Sequence, residues 1–153
     1  MKIKLAYLIA TWFGSGYLKP ASGTWGTLAS LPIILPIVWF YGSFGIVIGS
    51  LILFCIGLWA ANIFEIETGE HDSSRIVVDE VVGMLIAATP LLFIFEWFMV
   101  LICFALFRVF DAWKVGLVGW CDKNVSGAFG VMIDDVVAGL LTAIVILGIM
   151  VWI

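Results

Sequence analysis

Two stretches of this 153-residue chain place adjacent carboxylates where they are expected to open an apolar helix. The first, RIVVDEVVGMLIAA (75–88), carries Asp79 and Glu80; the second, VMIDDVVAGLLTA, carries Asp134 and Asp135. Between them, RVFDAWK sets Arg108, Asp111 and Lys114 three residues apart. Each such step is about 60° around a helix, so the three share one broad face. One acidic pair at a helix start is accounted for by capping and the helix macrodipole, and nearby basic residues by snorkelling. Five carboxylates converging at the edge of a low-dielectric region are a different matter, because they repel one another and demand protons or a cation. All-oxygen ligands select a hard ion, and Mg²⁺ is typically held by a few carboxylates together with substrate phosphate. The expected ligands are Asp79, Glu80, Asp111, Asp134 and Asp135. Arg108, a planar fork, and Lys114, a point charge, imply an anionic, phosphate-bearing substrate beside them.

Two further features bear on the site. The segment FGSGYLKPASGTWGT (13–27) is rich in Gly, Ser and Thr and includes Lys19. Its glycines would let backbone N–H groups approach a phosphate closely, which makes Lys19, Gly23 and Thr24 candidate phosphate contacts. It holds no GxxxxGK[ST], and a re-entrant loop with no ligand fits the same residues. Gly83 and Gly139 each lie four residues after an acid, Asp79 and Asp135. Small residues let membrane helices pack closely, so this spacing predicts that the two carboxylate pairs are brought together.

The elements that must position these groups are apolar helices. The chain is 64% hydrophobic and 12% charged, about half the charge of a typical soluble domain, and its mean hydropathy is +1.23. Uncharged stretches cover 20–64, 81–95, 97–107 and 136–153, and about 20 apolar residues suffice to cross a bilayer. The reading is a single domain, 1–153, integral to the membrane. The segment after the Gly-rich loop reads as a short helix broken or tilted at Pro32 and Pro36, followed by a turn at YGSFG (41–45) and a span over 46–64. Residues 81–107 read as a hairpin of arms 15–17 residues long, turning between Pro90 and Glu96. One continuous helix would bury Glu96 in lipid, at a cost of a few kcal/mol, and would put Asp79 and Asp111 on opposite faces. The fold expected is an all-α polytopic bundle of about five membrane helices plus an interfacial N-terminal helix over MKIKLAYLIATWFG. That opening stretch is too short to span and lacks a prompt cleavage site. Every charged side chain except Glu96 then falls on one side. All seven Lys and Arg are there, which makes that side cytoplasmic, with the N-terminus inside and the C-terminus outside. Cys55, Cys103 and Cys121 form no CxxC and read as free thiols, and a lone histidine excludes a His-rich zinc site.

Four motifs in order, GSGYLKPASGTWGTLASLP, HDSSRIVVDEVVGM, FRVFDAWK and DKNVSGAFGVMIDDVVAG, resemble the phosphatidylglycerophosphatase A family over most of the chain. One departure is Ser22-Gly23-Thr24, where some members read PGT. The resemblance implies a Mg²⁺-dependent phosphatase, multi-pass in the bacterial inner membrane, with its active site on the cytoplasmic face. Its substrate would be a phospholipid, phosphatidylglycerophosphate, from which it releases the terminal phosphate. No nucleic acid and no protein partner is implied. In that chemistry the acids hold the metal, Arg108 and Lys114 neutralise the phosphoryl group, and His71 or Asp72 protonates the leaving glycerol oxygen. His71 reads equally well as a solvated loop residue, and attack by water or by an aspartate both stay open. Two alternatives fit less well. A CDP-alcohol phosphotransferase would show a denser Asp–Gly–Ala–Arg pattern, which is absent. An ion or proton transporter would place ionisable groups near the midplane at broken helices rather than at helix ends.

Overall fold

The computed structural model describes residues 1–152, and among them there are helices and no strands. The α-helices are α1 (Lys2–Ala10), α2 (Ser22–Thr68), α3 (Val78–Ala87), α4 (Trp97–Trp113), α5 (Leu117–Asn124) and α6 (Gly127–Trp152). Two of them, Ser22–Thr68 and Gly127–Trp152, are long and apolar enough to cross a membrane.

The 47-residue α2 is not one rod. At Gly42 the backbone takes φ 54 and ψ −138, which is not helical. A Cβ on Gly49 would lie 3.9 Å from Ile37 Cγ2, whereas twelve residues of straight helix span about 18 Å. The chain therefore doubles back at Gly42, inside the YGSFG turn, into arms 22–41 and 43–68. The expected break at the prolines is absent. The first arm runs helical through Pro32 and Pro36, as membrane-type helices do when neighbouring elements compensate the lost N–H bonds.

The 81–107 stretch also turns where Glu96 requires it. α3 ends at Ala87, a 3-10 turn covers Thr89–Leu92, and α4 starts at Trp97. α4 returns antiparallel to α3, since a Cβ on Gly83 would lie 2.6 Å from Phe107 Cε2. Glu96 is exposed at the end of α4 opposite Arg108. The first arm of this hairpin is shorter than expected, ten residues or about 15 Å. The reason is its place at the centre of the bundle: every residue from Val78 to Leu85 is buried. A helix sheathed by α6, α4 and both arms of α2 has no need to span anything itself.

Asp134 and Asp135 do not open α6, as their motif had implied. α6 begins at Gly127, as soon as the chain leaves that residue's left-handed conformation (φ 72). The uncharged run GAFGVMI then adds two turns before the acids, about 10 Å. The short helix α5 was not foreseen at all. α1 packs through Ala6 and Ala10, both fully buried, and Val77 N–H donates to Ala10 O at 2.8 Å. All three cysteines are free.

The contact that decides the geometry lies between α3 and α6. A Cβ on Gly139 would overlap the Gly83 carbonyl, and one on Gly83 would lie 2.6 Å from Asp135 O. The helices thus cross backbone on backbone, as the four-residue spacing predicts. By contrast, Gly148 faces open space. Gly139→Leu is expected to lower the thermal unfolding midpoint in detergent, at a cost of about 1–3 kcal/mol or more from overpacking, while Gly148→Leu leaves it unchanged. Equal midpoints for the two variants would mean that the crossing is not backbone-tight.

Candidate active site

Four elements meet at one end of the bundle around a cavity of about 280 Å³. The first turn of α3 brings Asp79 and Glu80, α6 brings Asp134 and Asp135, and the end of α4 brings Arg108, Asp111 and Lys114. Ser22 and Gly23 at the start of α2, with the loop Asp72–Ser74, complete the lining. The structure therefore collects all five predicted acids, both predicted cations, Asp72 and Gly23 in one chamber.

Within the chamber the acids divide into two groups. Arg108 Nη1 donates to Asp111 Oδ2 at 2.5 Å. Lys114 Nζ is bonded to Asp134 Oδ2 and lies 3.8 Å from Asp111 Oδ1 and 3.4 Å from Asp122 Oδ1. Asp111 and Asp134 are thus answered by cations. Asp79, Glu80 and Asp135 form the other group: one oxygen from each lies within 4.8 Å of the other two, and all three residues are buried. Their cationic neighbour is Arg108, whose Nη1 is 3.5 Å from Glu80 Oε1. Glu80 Oε2 is buried without any hydrogen-bond partner.

Local geometry explains how each side chain is held. Asp79 Oδ1 accepts the Glu80 N–H at 3.0 Å, and Asp134 Oδ1 accepts the Asp135 N–H at 2.9 Å, so both pairs are oriented in the same way. Lys114 ends α4 in a left-handed conformation (φ 49, ψ 51), which turns it out of the helical path towards α6. Gly23 admits no side chain, because a Cβ there would overlap Glu80 Oε1 and lie 3.0 Å from both Arg108 terminal nitrogens. The loop is fixed from outside. Ser22 Oγ donates to Ser74 O, and Asp72, at φ 52, donates its N–H to Glu65 Oε1 at 3.0 Å. Glu70 is held below the usual carboxylate range by hydrogen bonds from Arg75 and then Ser73. The Arg75 guanidinium is in turn raised by Glu70 and stacks 5.3 Å above the Phe64 ring.

Three predicted residues fall outside this chamber. His71 is exposed and lines an adjoining cavity of about 220 Å³ with Glu65, Asp122 and Lys123. Lys19 is exposed ahead of Pro20, and Thr24 is half-buried on the flank of α2. Because α2 already begins at Ser22, residues 22–27 of the Gly-rich segment are a helix start, and only 13–21 lie ahead of the helix. Thr27 was missed: it is fully buried and 3.5 Å from Arg108 Nη1. Its signal was available, since it lies four residues after Gly23 on the same helical face. Glu65, a buried acid outside the motifs weighed for chemistry, gave no such signal.

The donor set suits a hard cation. Three clustered carboxylates, one with a desolvated and unpartnered oxygen, pay a penalty that a divalent ion relieves. An apolar helical bundle that holds such a cluster beside an arginine and a lysine is suited to an anionic, phosphate-bearing ligand at headgroup depth. The chain belongs to the phosphatidylglycerophosphatase A family, whose model matches residues 8–150. It is 37% identical over 148 residues to phosphatidylglycerophosphatase A of Haemophilus influenzae, covering 95% of this chain and 89% of that protein. It is 36% identical over 140 residues to phosphatidylglycerophosphatase A of Escherichia coli, covering 90% of this chain and 78% of that protein. No solved structure matches it.

The charge pairing has a consequence for stability. Lys114→Met leaves Asp134 buried without its cation, which is expected to cost about 1–2 kcal/mol for a lysine about one-third exposed. Adding Asp134→Asn should restore most of the loss in thermal unfolding. Additive effects of the two substitutions would show that the pair is not coupled.

Proposed function

We infer that this protein is a Mg²⁺-dependent lipid phosphatase that removes the terminal phosphate of phosphatidylglycerophosphate, leaving phosphatidylglycerol and inorganic phosphate. The observation that carries the reading is the buried trio Asp79, Glu80 and Asp135 with its unpartnered Glu80 oxygen, set beside Arg108 and Lys114. Family membership and the printed names of the Haemophilus influenzae and Escherichia coli relatives support the substrate.

In this mechanism Asp79, Glu80 and Asp135 would hold Mg²⁺. A divalent ion bound there would supply Lewis acidity towards the phosphoryl group and make water more acidic. Asp111 and Asp134 contribute by holding Arg108 and Lys114 at the chamber wall, a role nearer to cation placement than to direct ligation. The two cations bind the phosphoryl oxygens and neutralise charge that develops on them. Asp72, on the chamber rim, is the better-placed proton donor for the leaving glycerol oxygen. His71 is the second candidate, since it lines the neighbouring cavity.

The membrane arrangement follows the same logic. Helical segments 22–41, 43–68, 78–92, 97–113 and 127–152 make five passes, with α3 and its 3-10 turn as the short, buried one. Exposed Ile3, Leu5 and Leu8 beside Lys2 and Lys4 suit α1 to an interfacial position. The positive-inside preference of lysine and arginine supports a chamber on the cytoplasmic side of a bacterial inner membrane.

The test is phosphate release from phosphatidylglycerophosphate in detergent. Turnover is expected to require Mg²⁺, to vanish with EDTA, and to fall about a hundredfold or more in Asp79→Asn and Asp135→Asn while both variants stay folded. Release that persists in EDTA would overturn the metal, and release undiminished in either variant would remove that residue from the site.

A further inference from the structure

Around the central α3, α4 packs on α6, and α6 on the second arm of α2, but the first arm of α2 scarcely touches α4. These two helices are linked at the site end by Arg108 Nη1 donating to Thr27 Oγ1 at 3.5 Å. At the far end they are closed off by Trp39 against Phe95, ring centroids 4.7 Å apart. Between those points runs a seam. Leu31 and Leu35 follow Thr27 at successive helical turns, and Phe104 and Val100 precede Arg108 in the same way. All four are half-buried, packed against one core cluster while each keeps part of its surface outside it.

The seam leads into the active chamber. The chamber's lining passes from Ala21, Ser22 and Gly23 on one side to Arg108 and Ala112 on the other. Small side chains thus frame the opening, and Arg108, its side chain 18% exposed, stands where seam and chamber join. Exposed Trp25 and Trp113 lie at this same end, the depth at which tryptophans meet headgroups. A larger apolar hollow between α4 and α6, lined by Met99, Ile102 and Ile146 among others, offers no polar group and does not reach the acids.

We propose that the seam between the first arm of α2 and α4 is a lateral portal for a diacyl phosphomonoester, whose chains lie along Leu31, Leu35, Phe104 and Val100 while its phosphate passes Arg108 into the chamber. The proposal rests on the lipid-phosphatase reading. It gives the substrate a route in which its chains never leave apolar surroundings, and it matches an anionic headgroup to the cation at the junction.

Leu31→Trp, which fills the seam below the chamber, tests it. For phosphatidylglycerophosphate in mixed micelles, kcat/KM should fall about tenfold, with inhibition by inorganic phosphate unchanged. Leu51→Trp, on the exposed face of the second arm, should match the wild type. Equal activity of the two tryptophan variants, or weakened phosphate inhibition in Leu31→Trp, would overturn the portal. Photo-crosslinking reads the seam without turnover or a filled core: p-benzoylphenylalanine at Leu28, exposed and three residues before Leu31 on the same helical face, in phosphatidylcholine vesicles containing phosphatidic acid, should label phosphatidic acid preferentially. The same residue at Leu51 should show no preference. No preference at Leu28 would overturn the portal even in a folded, active enzyme. Labelling as expected at Leu28, together with a wild type that releases no phosphate, would instead overturn the phosphatase reading.

Discussion

Repulsion among buried carboxylates is the constraint around which this bundle is arranged. Asp79, Glu80 and Asp135 share a space less than 5 Å across, in surroundings too apolar to screen them. At such separations like charges cost far more than they would in water. The fold does not let them drift apart, because the backbones of α3 and α6 touch at Gly83 and Gly139. That contact is rigid in a way that side-chain packing is not. It fixes the carboxylates one helical turn away and leaves compensation to come from protons or a cation.

Two kinds of compensation operate side by side. Asp111 and Asp134 receive protein cations, Arg108 and Lys114. The trio receives almost none, and one Glu80 oxygen has no donor at all. The difference separates acids answered by side-chain cations from acids that side-chain cations scarcely reach. It also leaves Arg108 and Lys114 facing the same chamber as the trio, so that positive side chains stand beside the carboxylate cluster. Gly23 belongs to this arrangement, since any side chain there would drive apart Glu80 and Arg108.

Much of this was legible in the sequence because it depended on local spacing. The interval of four between acid and glycine states directly that both share a face, and the glycines at 83 and 139 are where the helices meet. Glu96 could be assigned to the far end because burying it in lipid is costly. Features set by neighbours were not legible. Beyond its acidic first turn α3 is apolar on every side, so nothing in its own pattern reveals that it ends after ten residues. The depth of Asp134 and Asp135 within α6 depended on where the helix began, in an uncharged run that gives no boundary. Lys114 reaches Asp134 through a left-handed backbone turn that its residue type does not advertise. The Gly-rich segment showed the cost of reading composition alone, since Gly23 reaches the chamber while Lys19 and Thr24 do not.

The most direct measurement is of the ion itself. Mn²⁺, a paramagnetic stand-in for Mg²⁺, can be titrated into the detergent-solubilised protein and followed by electron paramagnetic resonance. Saturable binding is expected in the wild type, competed by Mg²⁺ and lost in Glu80→Gln, with binding retained when the exposed Glu67 is changed to Gln. Binding of equal strength in Glu80→Gln and Glu67→Gln would contradict the account.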